Sequence, residues 1–284
     1  MEKFCVITNA DKDREYETAN YILDFLTSRG KSCLLIRDRF IDDDIGKYAE
    51  FEEIPKDTQC IIVLGGDGTM IQAANDLNEL EIPILGVNLG TLGFLTEVEK
   101  QDIESSLEDL FHNKYQVENR IMLKGMVKWH DYEGTALNDF VISKTGGCRL
   151  IELEVYVDNE FIDTYVADGV IVSTPTGSTG YNLSAGGPVL APKVQAMIIT
   201  PICPHSLNKR SLVVDSDSNV LIRVGKTKEI TDDAAVMITD GNEILYLKTG
   251  ESIEIIRAKK DARIIKLSEF SFFKRMRQKL SRDV

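Results

Sequence analysis

Apolar positions in the first third of the chain alternate between two rhythms. Phe4–Thr8 (FCVIT) is an apolar run of strand length. Asp13–Arg29 follows with Ala19, Ile22, Leu23 and Leu26 on one stripe at helical spacing, and Gly30 as a stop. Cys33–Ile36, the wholly apolar Cys60–Leu64 (CIIVL) and Ile82–Val87 predict strands; Thr69–Leu77 and Asp102–Phe111 predict helices. A strand apolar at every position is one that layers cover on both faces. The βαβ order therefore predicts a parallel, doubly wound α/β domain.

From about residue 120 the rhythm changes to period two. Leu123–Trp129 and Ala136–Ser143 are strand-like, and Leu150–Val157 sets Ile151, Leu153, Val155 and Val157 on one face against Glu152, Glu154 and Tyr156. Asp158-Asn159 is a two-residue turn candidate, because both residues tolerate positive φ, and Glu160–Ala167 returns as its partner strand. Further runs at Val170–Ser173, Leu212–Val214, Val220–Val224, Ala235–Thr239, Glu243–Leu247, Ser252–Arg257 and Arg263–Leu267 make this half all-β and sandwich-like.

The formal net charge of −13 argues against a general nucleic-acid binder, which neutralises phosphates with basic patches. It leaves room for a small polyanion held by backbone N–H groups, a helix N-terminus or a metal ion. No apolar run of about 18 residues predicts a membrane span. The N-terminus enters a strand-like run without a secretory signal, and the five cysteines are odd in number with no CxxC pair, so a reducing cytoplasm is expected. The basic tail (Lys274, Arg275, Arg277, Lys279, Arg282) reads as a solvated helix face.

Gly65-Gly66-Asp67-Gly68-Thr69 lies where CIIVL ends and a helix begins. Glycines leave no Cβ to keep a phosphate away, Thr69 is placed to cap the helix, and the helix N-terminus faces a bound anion. A carboxylate beside phosphates is unfavourable unless it holds a metal or accepts a proton, and phosphoryl transfer needs both. The same residues also make a plain tight turn with a structural Asp67. No GxxxxGK[ST], strand-linked GxGxxG or protein-kinase signature set is present.

The run Asp168–Pro188 (DGVIVSTPTGSTGYNLSAGGP) crowds hydroxyls and small residues into about a dozen positions. Such residues make poor core and good lining for a sugar, a base edge or phosphates, and Tyr181 offers a flat stacking surface. A Ser/Thr-rich surface loop has the same composition. Asn138-Asp139 pairs an amide with a carboxylate, which suits a ribose diol and suits a turn or bulge equally. His205, within Pro201–Leu207, has no Ser-His-Asp arrangement readable around it and is expected to be structural.

Taken in order, Gly65–Thr69, Asn88–Leu95 (NLGTLGFL), Asn138-Asp139, Asp168–Pro188 and Pro201–Leu207 resemble the NAD kinase family. GGDGT alone is shared with 6-phosphofructokinases and with diacylglycerol and sphingosine kinases; the STPTGSTGYNLSAGGP run is not. The resemblance implies an α/β domain at 1–118, a β-rich NAD-binding domain at 119–260 and a C-terminal segment, 261–284, returning to the first. It implies phosphorylation of the 2′-hydroxyl of the adenosine ribose of NAD to give NADP, with ATP or polyphosphate as donor. Mg²⁺ or another divalent cation is expected mainly on the donor phosphates, without a dedicated set of protein ligands. It further implies a homodimer or homotetramer with the site between domains and between subunits.

Carried over by position, Asp67 is the proton acceptor, Gly68 lies at the pyrophosphate, and Asn138 and Asp139 hold the ribose. Arg149, Asp168 and the stretch Thr179, Gly180, Tyr181, Asn182, Leu183 and Ser184 contact the dinucleotide, as does Asn242. Two positions depart from the pattern. Asp139 stands where many relatives have Glu. Val166 stands where many have a basic residue, which leaves Arg149 as the nearer candidate for a phosphate. The alternatives in other classes are a diacylglycerol- or sphingosine-type lipid kinase and a non-catalytic NAD(P)-binding sensor.

Overall fold

The computed structural model describes residues 1–8, 12–37, 54–90, 93–146, 150–206, 208–225, 234–267 and 272–280. The chain divides into two compact units, one of 1–120 with 261–284, the other of 121–260.

The first unit opens with β1 (Lys3–Thr8), α1 (Glu17–Ser28), β2 (Ser32–Arg37), β3 (Cys60–Gly65), α2 (Asp67–Leu77), β4 (Ile84–Asn88), β5 (Val98–Glu99), α3 (Ile103–Phe111) and β6 (Gln116–Arg120). The strands β1 to β5 run parallel, and β3 is buried at every position, as its unbroken apolar sequence requires. Phe4, Val6, Cys60, Ile62, Leu64, Leu85 and Val87 pack on one face against Ala19, Ile22 and Leu26 of α1 and Ile103, Leu107 and Leu110 of α3. The alternate residues Cys5, Ile7, Ile61 and Val63 are buried on the other face, outside that cluster, as are Met70, Ala73, Ala74 and Leu77 of α2. The sheet is doubly wound.

Helix α1 begins four residues later than its periodicity suggests. Glu15 and Tyr16 both take φ of 56°, which breaks Arg14–Tyr16 off as a separate 3₁₀ turn. Tyr16 is the N-cap residue, and Asp13 from before the turn satisfies the first-turn donors: Oδ1 accepts the Thr18 N–H and Oδ2 the Ala19 N–H, both at 2.9 Å.

The second unit comprises β7 (Leu123–Val127), β8 (Tyr132–Ala136), β9 (Asp139–Lys144), β10 (Ile151–Val157), β11 (Glu160–Ala167), β12 (Gly169–Ser173), the single turn α4 (Tyr181–Ser184), β13 (Ala196–Ile202), β14 (Leu212–Asp215), β15 (Val220–Val224), β16 (Ala235–Thr239), β17 (Glu243–Leu247) and β18 (Ser252–Arg257). They form two six-stranded sheets, ordered β11-β10-β15-β18-β7-β8 and β14-β13-β12-β9-β16-β17, with antiparallel neighbours throughout. One core joins them: Leu153, Val155, Ile222 and Ile253 from the first sheet meet Phe140, Ile142, Val170, Val172 and Met237 from the second. Asp158 and Asn159 turn β10 into β11 with φ of 51° and 67°, as their side chains allow.

The chain then returns to the first unit as β19 (Ala262–Lys266), parallel to β4 and antiparallel to β6, and α5 (Phe272–Leu280). The order of that sheet is β2-β1-β3-β4-β19-β6, with β5 beside β4. Among the described residues no helix is long and apolar enough to cross a membrane. Cys5 and Cys60 are buried and Cys33 half-buried. Burial pushes the Cys5 thiol up to about 12, the Cys33 thiol up to about 11, and the Cys60 thiol upward too, so all three are core-like thiols.

Candidate functional site

In the first unit β3 ends at Gly65 and α2 starts at Asp67, two residues before the expected Thr69. Gly66, extended at φ −115° and ψ −166°, turns the chain and contributes no side-chain cap. Thr69 therefore does not cap the helix but is buried in its first turn. This places the Asp67 carboxylate at the positive end of α2, where its charge is stabilised. Gly68 beside it is exposed, and Lys12 reaches in to donate to Thr69 Oγ1 at 3.4 Å.

A second loop, after β4, closes on that carboxylate. The Phe94 N–H donates to Asp67 Oδ2 at 2.7 Å; the Leu95 and Thr96 N–H groups donate to Oδ1 at 3.0 and 3.4 Å. A carboxylate offers about four lone-pair positions. Among the described residues three N–H groups fill three of these, two on Oδ1 and one on Oδ2, which leaves a position on Oδ2. The approach requires Gly93, since a Cβ there would lie 1.7 Å from Asp67 Oδ1. The Asn88 side chain ties off the start of the same loop, donating to the Gly90 carbonyl at 2.8 Å. Thr91 and Leu92 lie outside the described residues.

In the second unit Asn138 falls in the break between β8 and β9, and Asp139 opens β9 opposite Ser173. Their backbone is organised by a residue that the sequence did not single out. The Asp240 carboxylate accepts the N–H groups of Leu137, Asn138 and Asp139 at 2.7, 2.9 and 2.8 Å. Asp240 takes φ of 47° in the turn after β16, and its own N–H donates to the Asp139 carbonyl. Asp139 is 6% exposed, and burial first, the Asp240 charge second, raise its carboxyl to about 7.

The hydroxyl-rich run packs on this break. Thr174 donates through Oγ1 to the Leu137 carbonyl at 2.6 Å and through its N–H to the Asn138 carbonyl at 2.8 Å. Gly177 lets the loop lie against the same carbonyl; a Cβ there would sit 2.3 Å from it. Structure thus brings Asn138-Asp139 and Ser173–Ser184 together. Gly180, Tyr181, Leu183 and Ser184 are exposed and Thr179 half-exposed, so they present outward. Asn182 does not: its amide donates to the Ser178 and Pro188 carbonyls, and its Oδ1 accepts from Thr200 at 2.7 Å. Its polar atoms are committed to holding the loop. Asn242 is exposed in the turn that carries Asp240.

Asp168 and Val166 lie elsewhere. Asp168 precedes β12 at the end opposite Ser173, about 16 Å away at about 3.3 Å per residue, paired with Lys144 at 2.6 Å. Val166 is 37% exposed on β11, and its carbonyl accepts the backbone N–H of the exposed His205 at 2.9 Å. Arg149 lies outside the described residues.

One expectation fails in a way that matters for the site. Arg275, placed on a solvated face, is 7% exposed. It points into the first unit, donating to the Thr96 carbonyl and pairing with Glu97 at 3.0 Å. Lys274 and Arg277 are exposed, and Arg282 lies outside the described residues. Among the described residues no group of three or more His, Cys, Asp or Glu is placed to hold a metal.

Two family models match the chain: the ATP-NAD kinase N-terminal domain at residues 4–115 and the ATP-NAD kinase C-terminal domain at 137–267. The NAD kinase of Lachnoclostridium phytofermentans is 43% identical over 284 residues, covering 98% of this chain and 99% of that one. The NAD kinase of Agathobacter rectalis is 42% identical, covering 99% of each. Among solved structures, a yeast NADH kinase complexed with NADH superposes with a TM-score of 0.84 at 23% identity, covering 99% of this chain and 88% of that one. An NAD kinase from Archaeoglobus fulgidus in complex with ATP gives 0.74 at 23% identity, covering 98% of each. At that identity the two structures speak for the fold.

Proposed function

Because this chain belongs to the NAD kinase family and phosphorylates NAD, a phosphoryl transfer to an alcohol acceptor, we propose that Asp67 accepts the proton of the attacking hydroxyl. The hydroxyl is the 2′-OH of the adenosine ribose, and the product is NADP. The observation that carries this reading is the Asp67 carboxylate itself, held by three backbone N–H groups that, among the described residues, leave a position on Oδ2. A rigid acceptor with a single open position suits a single incoming O–H.

The remaining roles follow from what each residue presents. Gly68, exposed beside Asp67, leaves space for a pyrophosphate at the helix N-terminus. Asp139 accepts ribose hydroxyls and Asn138 donates to one. Thr179, Gly180, Tyr181, Leu183 and Ser184 form the outward surface for the dinucleotide, with Tyr181 available to stack and Asn182 holding that surface in shape. Asn242 contributes from the neighbouring turn. Val166 near the end of β11 and Asp168 just before β12 stand away from Ser173, and we assign them to the site of a second copy in a homodimer or homotetramer. Arg149 remains the proposed phosphate contact.

The donor set fits a cation carried by the substrate: most acceptor positions of Asp67 are filled, and no other acidic cluster is at hand among the described residues. Mg²⁺ or another divalent ion would supply charge neutralisation on the phosphates of ATP or polyphosphate. The cytoplasm, which holds NAD and a phosphoryl donor, is the proposed location. The test is a panel of ATP and polyphosphate against NAD and NADH, with Mg²⁺ or EDTA, scoring NADP(H). Cation-dependent NADP formation is expected, and product formation undiminished by EDTA defeats the cation assignment.

A further inference from the structure

We propose that Arg275, near the C-terminus, is a positioning residue for Asp67. Arg275 lies outside both stretches matched by the family models. Its Nη1 donates to the Thr96 carbonyl and stands 3.5 and 3.4 Å from the Gly93 and Phe94 carbonyls; its Nη2 meets Glu97 Oε2 at 3.0 Å. The Gly93 and Phe94 carbonyls belong to the same peptide groups as the Phe94 and Leu95 N–H that hold the Asp67 carboxylate, and Thr96 adds a third N–H to it. The guanidinium grips the carbonyl side of a loop whose amide side grips the carboxylate. Only a planar fork of donors reaches several carbonyls and a carboxylate at once.

The rest of α5 reinforces the hold. Phe272 packs on Phe94 with ring centroids 6.1 Å apart, and Lys279 Nζ sits 4.5 Å above the Phe94 ring. Glu97, 2% exposed at its side chain, is shared between Arg275 and Lys266, each at 3.0 Å. Removing Arg275 therefore leaves Glu97 paired with a cation, so the change falls on the loop. The inference rests on the reading of Asp67 as the proton acceptor and extends it: a helix at the end of the chain sets the place of that carboxylate.

The test is a double-mutant cycle of Arg275→Met with Asp67→Asn in the full-length enzyme, together with amide hydrogen exchange. Arg275→Met alone is expected to lower kcat about 10- to 100-fold, with KM for NAD and ATP within about threefold. In the Asp67→Asn background the same change should cost less than about threefold more, because its effect passes through the missing carboxylate. The Phe94, Leu95 and Thr96 amides should exchange at least about tenfold faster, while amides in β3 keep their rates. An unchanged kcat, an equal loss in both backgrounds, or uniformly faster exchange across the first unit overturns the proposal. If Arg275→Met fails to fold, Arg275→Lys enters the same cycle; it keeps the charge facing Glu97 but loses the fork, and a smaller, equally non-additive loss is expected. Near-normal turnover of Asp67→Asn alone defeats the reading of Asp67 and this inference with it. Normal turnover and exchange in the Arg275 variant defeats the inference alone.

Discussion

Replacing Gly93 by alanine puts one methyl group where the Asp67 carboxylate lies. The new Cβ would stand 1.7 Å from Oδ1, 2.3 Å from Cγ and 2.6 Å from Oδ2. Relieving this to ordinary contact needs a shift of about 1.5–2 Å, by the carboxylate or by the loop. The Phe94 and Leu95 hydrogen bonds, at 2.7 and 3.0 Å, do not survive a shift of that size. Two hydrogen bonds to a charged group have a nominal value of about 1.5–3 kcal/mol each. Asp67 is partly solvated, so water recovers much of that, and a net destabilisation of about 1–3 kcal/mol is expected. The kinetic effect should be larger, since a misplacement of about 1 Å costs about 10²-fold. Gly93→Ala is therefore expected to lower kcat by about 10²–10³ with a folded protein. Steady-state NADP formation gives kcat and KM, a thermal melt gives the fold, and Gly90→Ala, where a Cβ meets nothing within 4 Å among the described residues, is the control. A Gly93→Ala enzyme within about threefold of normal kcat would refute the claim that this loop sets the carboxylate.

Four further outcomes are expected. Among the described residues a Cβ on Gly68 meets nothing within 4 Å outside its own helix backbone, so Gly68→Ala should fold at least as well as the parent, gaining up to about 1 kcal/mol of helix propensity, yet raise KM for substrate phosphates; unchanged KM removes Gly68 from the site. With Asp139 raised to about 7, NAD whose ribose hydroxyls donate to the ionised form should bind about tenfold tighter at pH 8 than at pH 6, a dependence that Asp139→Asn abolishes. In the unliganded enzyme the same raised value gives stability that is full below about pH 3.9 and lost as pH rises through 7, up to about 4 kcal/mol, so a denaturation midpoint less pH-dependent in Asp139→Asn is expected and an identical profile contradicts it. If Asp168 serves a second copy, mixing inactive Asp67→Asn and Asp168→Ala chains through reassembly should restore about a quarter of parental activity, and no recovery argues that both act in one chain.

What the sequence revealed, and what it hid, divides along physical lines. Period-two alternation in Ile151, Leu153 and Val155 located a strand, and Asp158-Asn159 a turn, because both signals are local. Strand β13, with seven buried positions, was not predicted, and Pro201 lies within it. The proline is tolerated because only β12 flanks it, through Val170; on the other side β14 has stopped, its last register pair being Ile199 with Leu212. Asp67, Asn138, Asp139 and the hydroxyl-rich run stood out in the sequence by residue type and spacing. Asp240, Gly93 and Arg275 did not, since each acts through backbone groups far away in sequence. The only hints were Gly93 within NLGTLGFL and the turn-forming Asp240-Gly241, neither of which names its partner.

The most direct test of the central claim is the single-turnover rate of Asp67→Asn with bound NAD, ATP and Mg²⁺. The substitution keeps the side chain's shape and removes its capacity to take a proton. Turnover is expected to fall by about 10²–10⁴ with NAD affinity largely kept. A rate near that of the parent enzyme would contradict the account, leaving the three N–H groups around Asp67 with a structural task alone.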